Sequence, residues 1–170
     1  MPTANETNKI ASASPVLESF WLYGTHSIPI YYEDTDFSGY VYHANFIKFC
    51  ERAREHLLSQ ELLKELYAQD LHFVVKRAEL NFLQPVRFAD TLDIRSQAQV
   101  TRSPLIAFQQ DLYFLKEPDR LAVQAKVDLV MVNSSGRPQR IHDQALRLLF
   151  RRCSPLPSPA PVGATSTPAK

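Results

Sequence analysis

The chain has 170 residues, 45% of them apolar, and a formal net charge of +1. That is enough for one domain with a sizeable core, and it excludes both disorder throughout and a polyanion as the dominant partner. Two cysteines, Cys50 and Cys153, are too few for a disulfide framework and read as reduced thiols.

Residues 1–19 are small and polar and read as a flexible arm. They show neither the basic n-region nor the apolar h-region of a secretory leader. No run approaches the roughly 18 apolar residues of a membrane span, so a cytoplasmic location is expected. The folded domain is expected over residues 20–152. Within it, His26–Glu33 alternates as a strand, with Pro29 tolerable near an edge. A polar turn follows with Glu33, Asp34 and Asp36, then Gly39 and the segment Tyr40-Val41-Tyr42-His43. Residues 44–59 carry Phe46, Phe49, Cys50, Ala53 and Leu57 at spacings of three and four, which predicts an amphipathic helix. Lys48, Glu51, Arg52 and Glu55 largely take its other face, and Glu51 and Arg54 are neighbours of opposite charge. Glu61–Gln69 reads as a short second helix.

The period then changes. His72–Phe82, Thr91–Thr101, Ile106–Leu115 and Leu121–Val132 read as strands, with Gln84-Pro85, Ser103-Pro104 and the run 133–136 as punctuation. Gln144–Phe150 reads as a final, weaker strand. Short links between the late strands predict antiparallel pairing, and the order predicts an α+β fold with one long helix packed on a curled antiparallel sheet. Residues 153–170 hold Pro155, Pro157, Pro159, Pro161 and Pro168 and read as a proline-rich, disordered tail.

The turn and the long helix bring chemistry together. A carboxylate lies just ahead of a helix N-terminus, where free backbone N–H groups favour negative charge. A side chain able to attack or take a proton, beside donors able to hold an oxyanion, suffices for acyl transfer. Asp36 is the candidate nucleophile or general base, against the plainer reading of a turn aspartate bonded to its own backbone. His43 stands at the helix entry, where a histidine with only a packing role is the plainer reading. Asp34 is expected to hold the turn and Glu33 to point away, by strand parity. Gly39 is expected at positive φ or at a close approach. Cys50 lies on the apolar face and reads as an inert buried thiol. The five histidines show no ligand spacing, and four glycines form no phosphate loop, so no metal or cofactor is expected.

The segment YYEDTDFSGYVYHANFIKFCERAR, and more weakly NFLQPVRFADTLDI and the strands after it, resembles the Tol–Pal-associated acyl-CoA thioesterases. These belong to the 4-hydroxybenzoyl-CoA thioesterase class of the hotdog fold, and the resemblance runs over residues 28–132. It implies a sheet wrapped around one central helix, a homodimer or homotetramer, and active sites between protomers. It implies an acyl-CoA substrate, Asp36 as the catalytic carboxylate, and His43 as the residue whose N–H faces the thioester carbonyl. It implies that Gly39 and Phe37 fall where substrate is held, and Tyr42 either lines the acyl pocket or simply packs. Phe37 and Ser38 replace the small residues common in relatives, which reshapes the pocket, and Ser103-Pro104 bears on the pantetheine contacts. Another hotdog branch uses a helix carboxylate, making Glu51 the alternative nucleophile against a solvated, salt-bridged role. Lys76, Arg77, Arg87 and Arg102 are the basic candidates for coenzyme A phosphates, against the plainer reading of ordinary surface charges. The alternative to an enzyme is an interaction module for acyl carrier protein or envelope-biogenesis proteins. A dehydratase would need a histidine motif that the chain lacks.

Overall fold

A computed structural model describes residues 19–152. The expected proline-rich tail lies outside the described residues, as does the expected N-terminal arm except for Ser19. Five strands form one antiparallel sheet: β1 (Ser19–Pro29), β2 (His72–Phe82), β3 (Thr91–Thr101), β4 (Leu105–Phe114) and β5 (Glu117–Val132). Their spatial order is β1-β3-β4-β5-β2, so β1 and β2 are the edges. Register is fixed by alternation. In β3 the residues from Leu92 to Val100 at every second position are buried, and β4 repeats this from Ile106 to Phe114.

Helix α1 (Asn45–Leu58) lies on the inner face of this curled sheet. It buries Phe46, Phe49, Cys50 and Ala53, as the spacing predicts, and Leu58 below them. Gly24 of β1 permits its close approach, since a Cβ there would stand 2.8 Å from Leu57 Cδ1. Ser59 separates α1 from α2 (Gln60–Tyr67), and its hydroxyl accepts the Leu62 N–H at 3.3 Å.

Two expectations need correction. The segment Gln144–Phe150 is not a strand but lies within α3 (Asp143–Arg152). Ala145, Leu146 and Leu149 are fully buried while Arg147 is exposed, a stripe of helical period. His142 caps the helix, its Nδ1 accepting the Ala145 N–H at 3.3 Å, and Phe150 meets Phe20 edge-on. β1 also begins seven residues earlier than expected and ends at Pro29. Tyr32–Asp34 is a 3-10 turn, because the Asp34 carboxylate accepts the Tyr31 N–H at 2.9 Å and curls the chain out of the sheet.

The core has two clusters. One gathers Ile28, Ile30, Phe46, Phe49, Leu92 and Leu112 near the start of α1. The other gathers Phe20, Leu22, Leu62, Leu66, Phe108 and Leu146 beneath α2 and α3. Between them runs a buried polar layer. Arg54 Nη1 donates to Gln110 Oε1 at 2.7 Å, and Gln110 Nε2 donates to Ser96 Oγ at 2.9 Å and to the Cys50 carbonyl at 3.0 Å. Every member has at least one hydrogen bond within the layer, which lets it sit inside the core.

Candidate active site

The loop between β1 and α1 is a tight reversal tied at both ends. Tyr42 N–H donates to the Asp34 carbonyl at 2.9 Å, and the buried Asn45 side chain donates to the same oxygen at 3.0 Å. Thr35 bridges Val41, and Val41 N–H donates to the Val86 carbonyl at 2.8 Å. Asp34 therefore holds the turn, as expected, while Glu33 is exposed. The parity argument behind that expectation fails, since the chain here is a 3-10 turn and not a strand. Asp34 is buried and Asp36 is exposed.

Asp36 sits at the tip. Its N–H donates to the Tyr40 carbonyl at 2.9 Å, and its carbonyl accepts the Gly39 N–H at 3.0 Å. Gly39 has φ +78°, and an added Cβ would meet nothing within 4 Å. Of its two expected roles, the left-handed backbone is present. One carboxylate oxygen of Asp36, Oδ1, accepts the Ser38 N–H at 2.8 Å and the Ser38 hydroxyl at 2.5 Å. These two donors, the hydroxyl first, hold its pKa below the usual carboxylate range, with a smaller contribution from the nearby His43. The second oxygen, Oδ2, has no hydrogen bond among the described residues and is free to act. Sequence reasoning passed over Ser38 as a donor; its spacing two residues after an aspartate was the available signal.

His43 lies where the chain enters α1. No side chain caps that helix, and none of its first-turn residues is acidic. The His43 N–H makes no hydrogen bond among the described residues. Its imidazole stacks at a tilt on Tyr42, with ring centroids 4.3 Å apart. His43 also lines a cavity of about 360 Å³ between Tyr40, Val41 and Phe46 on one side and Phe82–Val86 on the other. Tyr42 is half exposed and Phe37 fully exposed, so neither packs as core, and neither lines this cavity. Arg87 donates to the Tyr40 hydroxyl at 2.9 Å and lies over its ring, which places it beside the loop. Arg77 is paired with Glu79 and Arg102 with Asp143, both away from the loop.

Glu51 stands farther along α1, exposed and 3.5 Å from the Arg54 guanidinium, outside the cavity that His43 lines. The salt-bridged reading fits it. Cys50 is fully buried, and burial pushes its thiol up to about 11, so it is no nucleophile. The structure thus brings Asp36, Ser38, Gly39, Tyr40 and His43 onto one loop and leaves Glu51 and Cys50 apart from it. No helix of the described residues is long and apolar enough to cross a membrane.

Comparisons with known proteins bear on the family and the fold. The Thioesterase-like superfamily model matches residues 31–162. An acyl-CoA thioesterase YbgC of Helicobacter pylori is 38% identical over 88 residues, 51% of this chain and 65% of that protein. The chain thus spans just under two thirds of the length of that curated relative. The Escherichia coli acyl-CoA thioester hydrolase YbgC is 32% identical over 62% of this chain and 79% of its own length. A crystal structure of a probable thioesterase from Bartonella henselae superimposes with a TM-score of 0.63 at 29% identity, covering 71% of this chain and 99% of that one. With its five-stranded curled sheet around α1, the chain belongs to the thioesterase-like superfamily of the hotdog fold.

Proposed function

We propose that this protein is an acyl-CoA thioesterase that hydrolyses the thioester to a free acid and coenzyme A. The observation that carries the reading is the loop tip. A carboxylate held by Ser38, with one oxygen free, precedes an uncapped helix entry whose His43 N–H is unengaged. Asp36 attacks the thioester carbonyl and expels the thiolate, leaving an anhydride that water then opens, or it takes a proton from a water that attacks the carbonyl itself. The His43 N–H receives the developing oxyanion, a contribution of about 3–4 kcal/mol for a donor of this kind. A leaving thiolate with a pKa near 8.5 needs no strong general acid. Tyr42, Phe37 and Gly39 border the acyl and pantetheine path, and Arg87 is the basic residue best placed for coenzyme A phosphate.

The single chain leaves Asp36 open to water, and a second copy completes the site. β2 is an edge strand that exposes Val74, Val75 and Phe82, each about half accessible. Such an edge is a template for strand pairing. Antiparallel pairing of two β2 strands sets the partner beside the Phe46–Phe82 wall of the cavity and forms the homodimer, which a further pairing would make a tetramer. A cytoplasmic location and an association with Tol–Pal or other envelope-biogenesis proteins, or with acyl carrier protein, go with the sequence resemblance. Co-purification with those proteins tests the association.

The decisive experiment follows free thiol release from a panel of acyl-CoAs with wild-type protein and Asp36→Asn. The expected result is a loss of about 10²–10⁴-fold in kcat/KM, the range for a positioned acid–base group. Fold and oligomeric state should be unchanged. A variant that keeps more than half of the wild-type value removes Asp36 from the mechanism. No release from any thioester would favour the binding-module alternative.

A further inference from the structure

The loop that carries Asp36 and His43 has two arms. One leaves β1 and passes through Asp34 to Asp36; the other runs from Tyr40 through His43 into α1. Near the tip the arms are joined by backbone bonds, the Asp36 N–H on the Tyr40 carbonyl and Thr35 bridged to Val41. At the base a side chain helps to close them. Asn45, the first residue of α1, is only 9% exposed, and its Nδ2 donates to the Asp34 carbonyl at 3.0 Å. Its main-chain N–H donates to the Tyr42 carbonyl at 2.9 Å, so one residue grips both arms. A carbonyl only accepts, which fixes the amide nitrogen, and not its oxygen, towards Asp34. Asp36 and His43 stand on opposite arms, each two residues inside this closure. Phe46 and Phe49 anchor the same end of α1 in the core, which gives Asn45 a fixed place from which to hold the loop.

We infer that Asn45 is a positioning residue: its bond to the Asp34 carbonyl sets the distance between the Asp36 carboxylate and the His43 N–H. This role rests on the proposed function and adds a residue to it. Asn45 acts through the loop and need not touch the thioester. The carboxylate and the oxyanion donor must meet one carbonyl together, and a misplacement of about 1 Å can cost on the order of 10²-fold in rate. Ser38 fixes only the carboxylate on its own arm, whereas Asn45 relates one arm to the other. The Tyr42 N–H also serves the Asp34 carbonyl, at 2.9 Å, so loss of the Asn45 amide leaves that oxygen with a partner. Folding should therefore survive where turnover does not.

Two substitutions test it, read by thiol release from the acyl-CoA that the wild-type protein cleaves fastest. Asn45→Ala removes the amide. Asn45→Leu keeps its volume in the buried site but has no donor and no charge. Both variants are expected to lower kcat about 10- to 100-fold per folded molecule, with KM within about threefold of wild type, the pattern of an interaction realised in the transition state. Circular dichroism checks folding and gel filtration the oligomeric state. A side chain that only packs would let Asn45→Leu keep wild-type turnover. The proposal is overturned if a folded variant loses less than about tenfold in kcat, or if the loss falls on KM instead. It is also overturned if neither variant folds, since Asn45 would then serve the fold itself. Asp36→Asn, measured alongside, separates the two readings. If it stays active, the proposed function fails and this role with it; if it is inactive while Asn45→Leu is not, only the role of Asn45 fails.

Discussion

The two halves of the core are built differently. Beneath α2 and α3, the inner face of the sheet is closed by two extra amphipathic helices, and Leu22, Leu62, Leu66, Leu146 and Leu149 lose essentially all solvent contact. Around the start of α1, the sheet is closed by a loop held through backbone hydrogen bonds, and Tyr42, Phe82 and Leu83 remain about half exposed. The polar layer of Arg54, Gln110 and Ser96 lies between them. Both ends thus bury an apolar cluster, and the loop end also leaves aromatic side chains open. A loop that, on the proposed function, admits substrate and meets a second copy is not itself a good store of stability.

Breaking the closed half should destabilise without touching chemistry. Leu146→Ala, at a site with no exposure, is expected to cost about 2–5 kcal/mol in urea unfolding. Activity per folded molecule should stay at the wild-type level. If kcat/KM falls in step with stability, the two halves are not separable. A smaller effect is expected at the divide. Gln110→Leu leaves Arg54, Ser96 and the Cys50 carbonyl without the amide they share. The cost is about 1–3 kcal/mol, since polar groups are orphaned in the interior. Circular dichroism with denaturant measures it, and a stabilised variant would show that the layer is not needed to hold α1 in place.

The open half was the more legible one by motif, and the closed half by pattern. β2 and β3 agree with the sequence to the residue, β3 because it alternates and β2 because Gln84-Pro85 ends it. α3 was misread because Leu146, Leu148 and Phe150 alternate as a strand would. Only Leu149 in the same stripe as Ala145 and Leu146 betrays the helix, and the decision rests on what Phe20 offers across the fold. Arg54 was read only as a surface partner of Glu51. Its burial depends on Gln110, whose inward place in β4 opposite Ser96 was visible as a break in the apolar alternation. Asp36 was singled out by its motif, and the strand of a second copy belongs to the site only as proposed above.

The finest test concerns the loop tip alone. Ser38 gives Asp36 two hydrogen bonds to one oxygen, and only the hydroxyl can be removed without changing the backbone. Both donors stabilise the ionised carboxylate and hold its pKa below the ordinary value of about 3.9. A base or nucleophile acts when ionised, so activity is retained above the folded-state pKa and lost as pH falls through it. In wild-type protein the acid limb of kcat/KM should therefore lie below the ordinary carboxylate range. Ser38→Ala removes the larger of the two contributions, so the limb should move up in pH, while the plateau near neutrality changes little. Ser38→Thr keeps a hydroxyl at the same place and should restore the wild-type limb. The measurement is the pH profile of thiol release, with each variant checked for folding at every pH. An Ala limb that coincides with the wild-type limb would mean that the Ser38 hydroxyl turns away once substrate and a second copy enclose Asp36. The loop would then owe its geometry to the backbone donors alone.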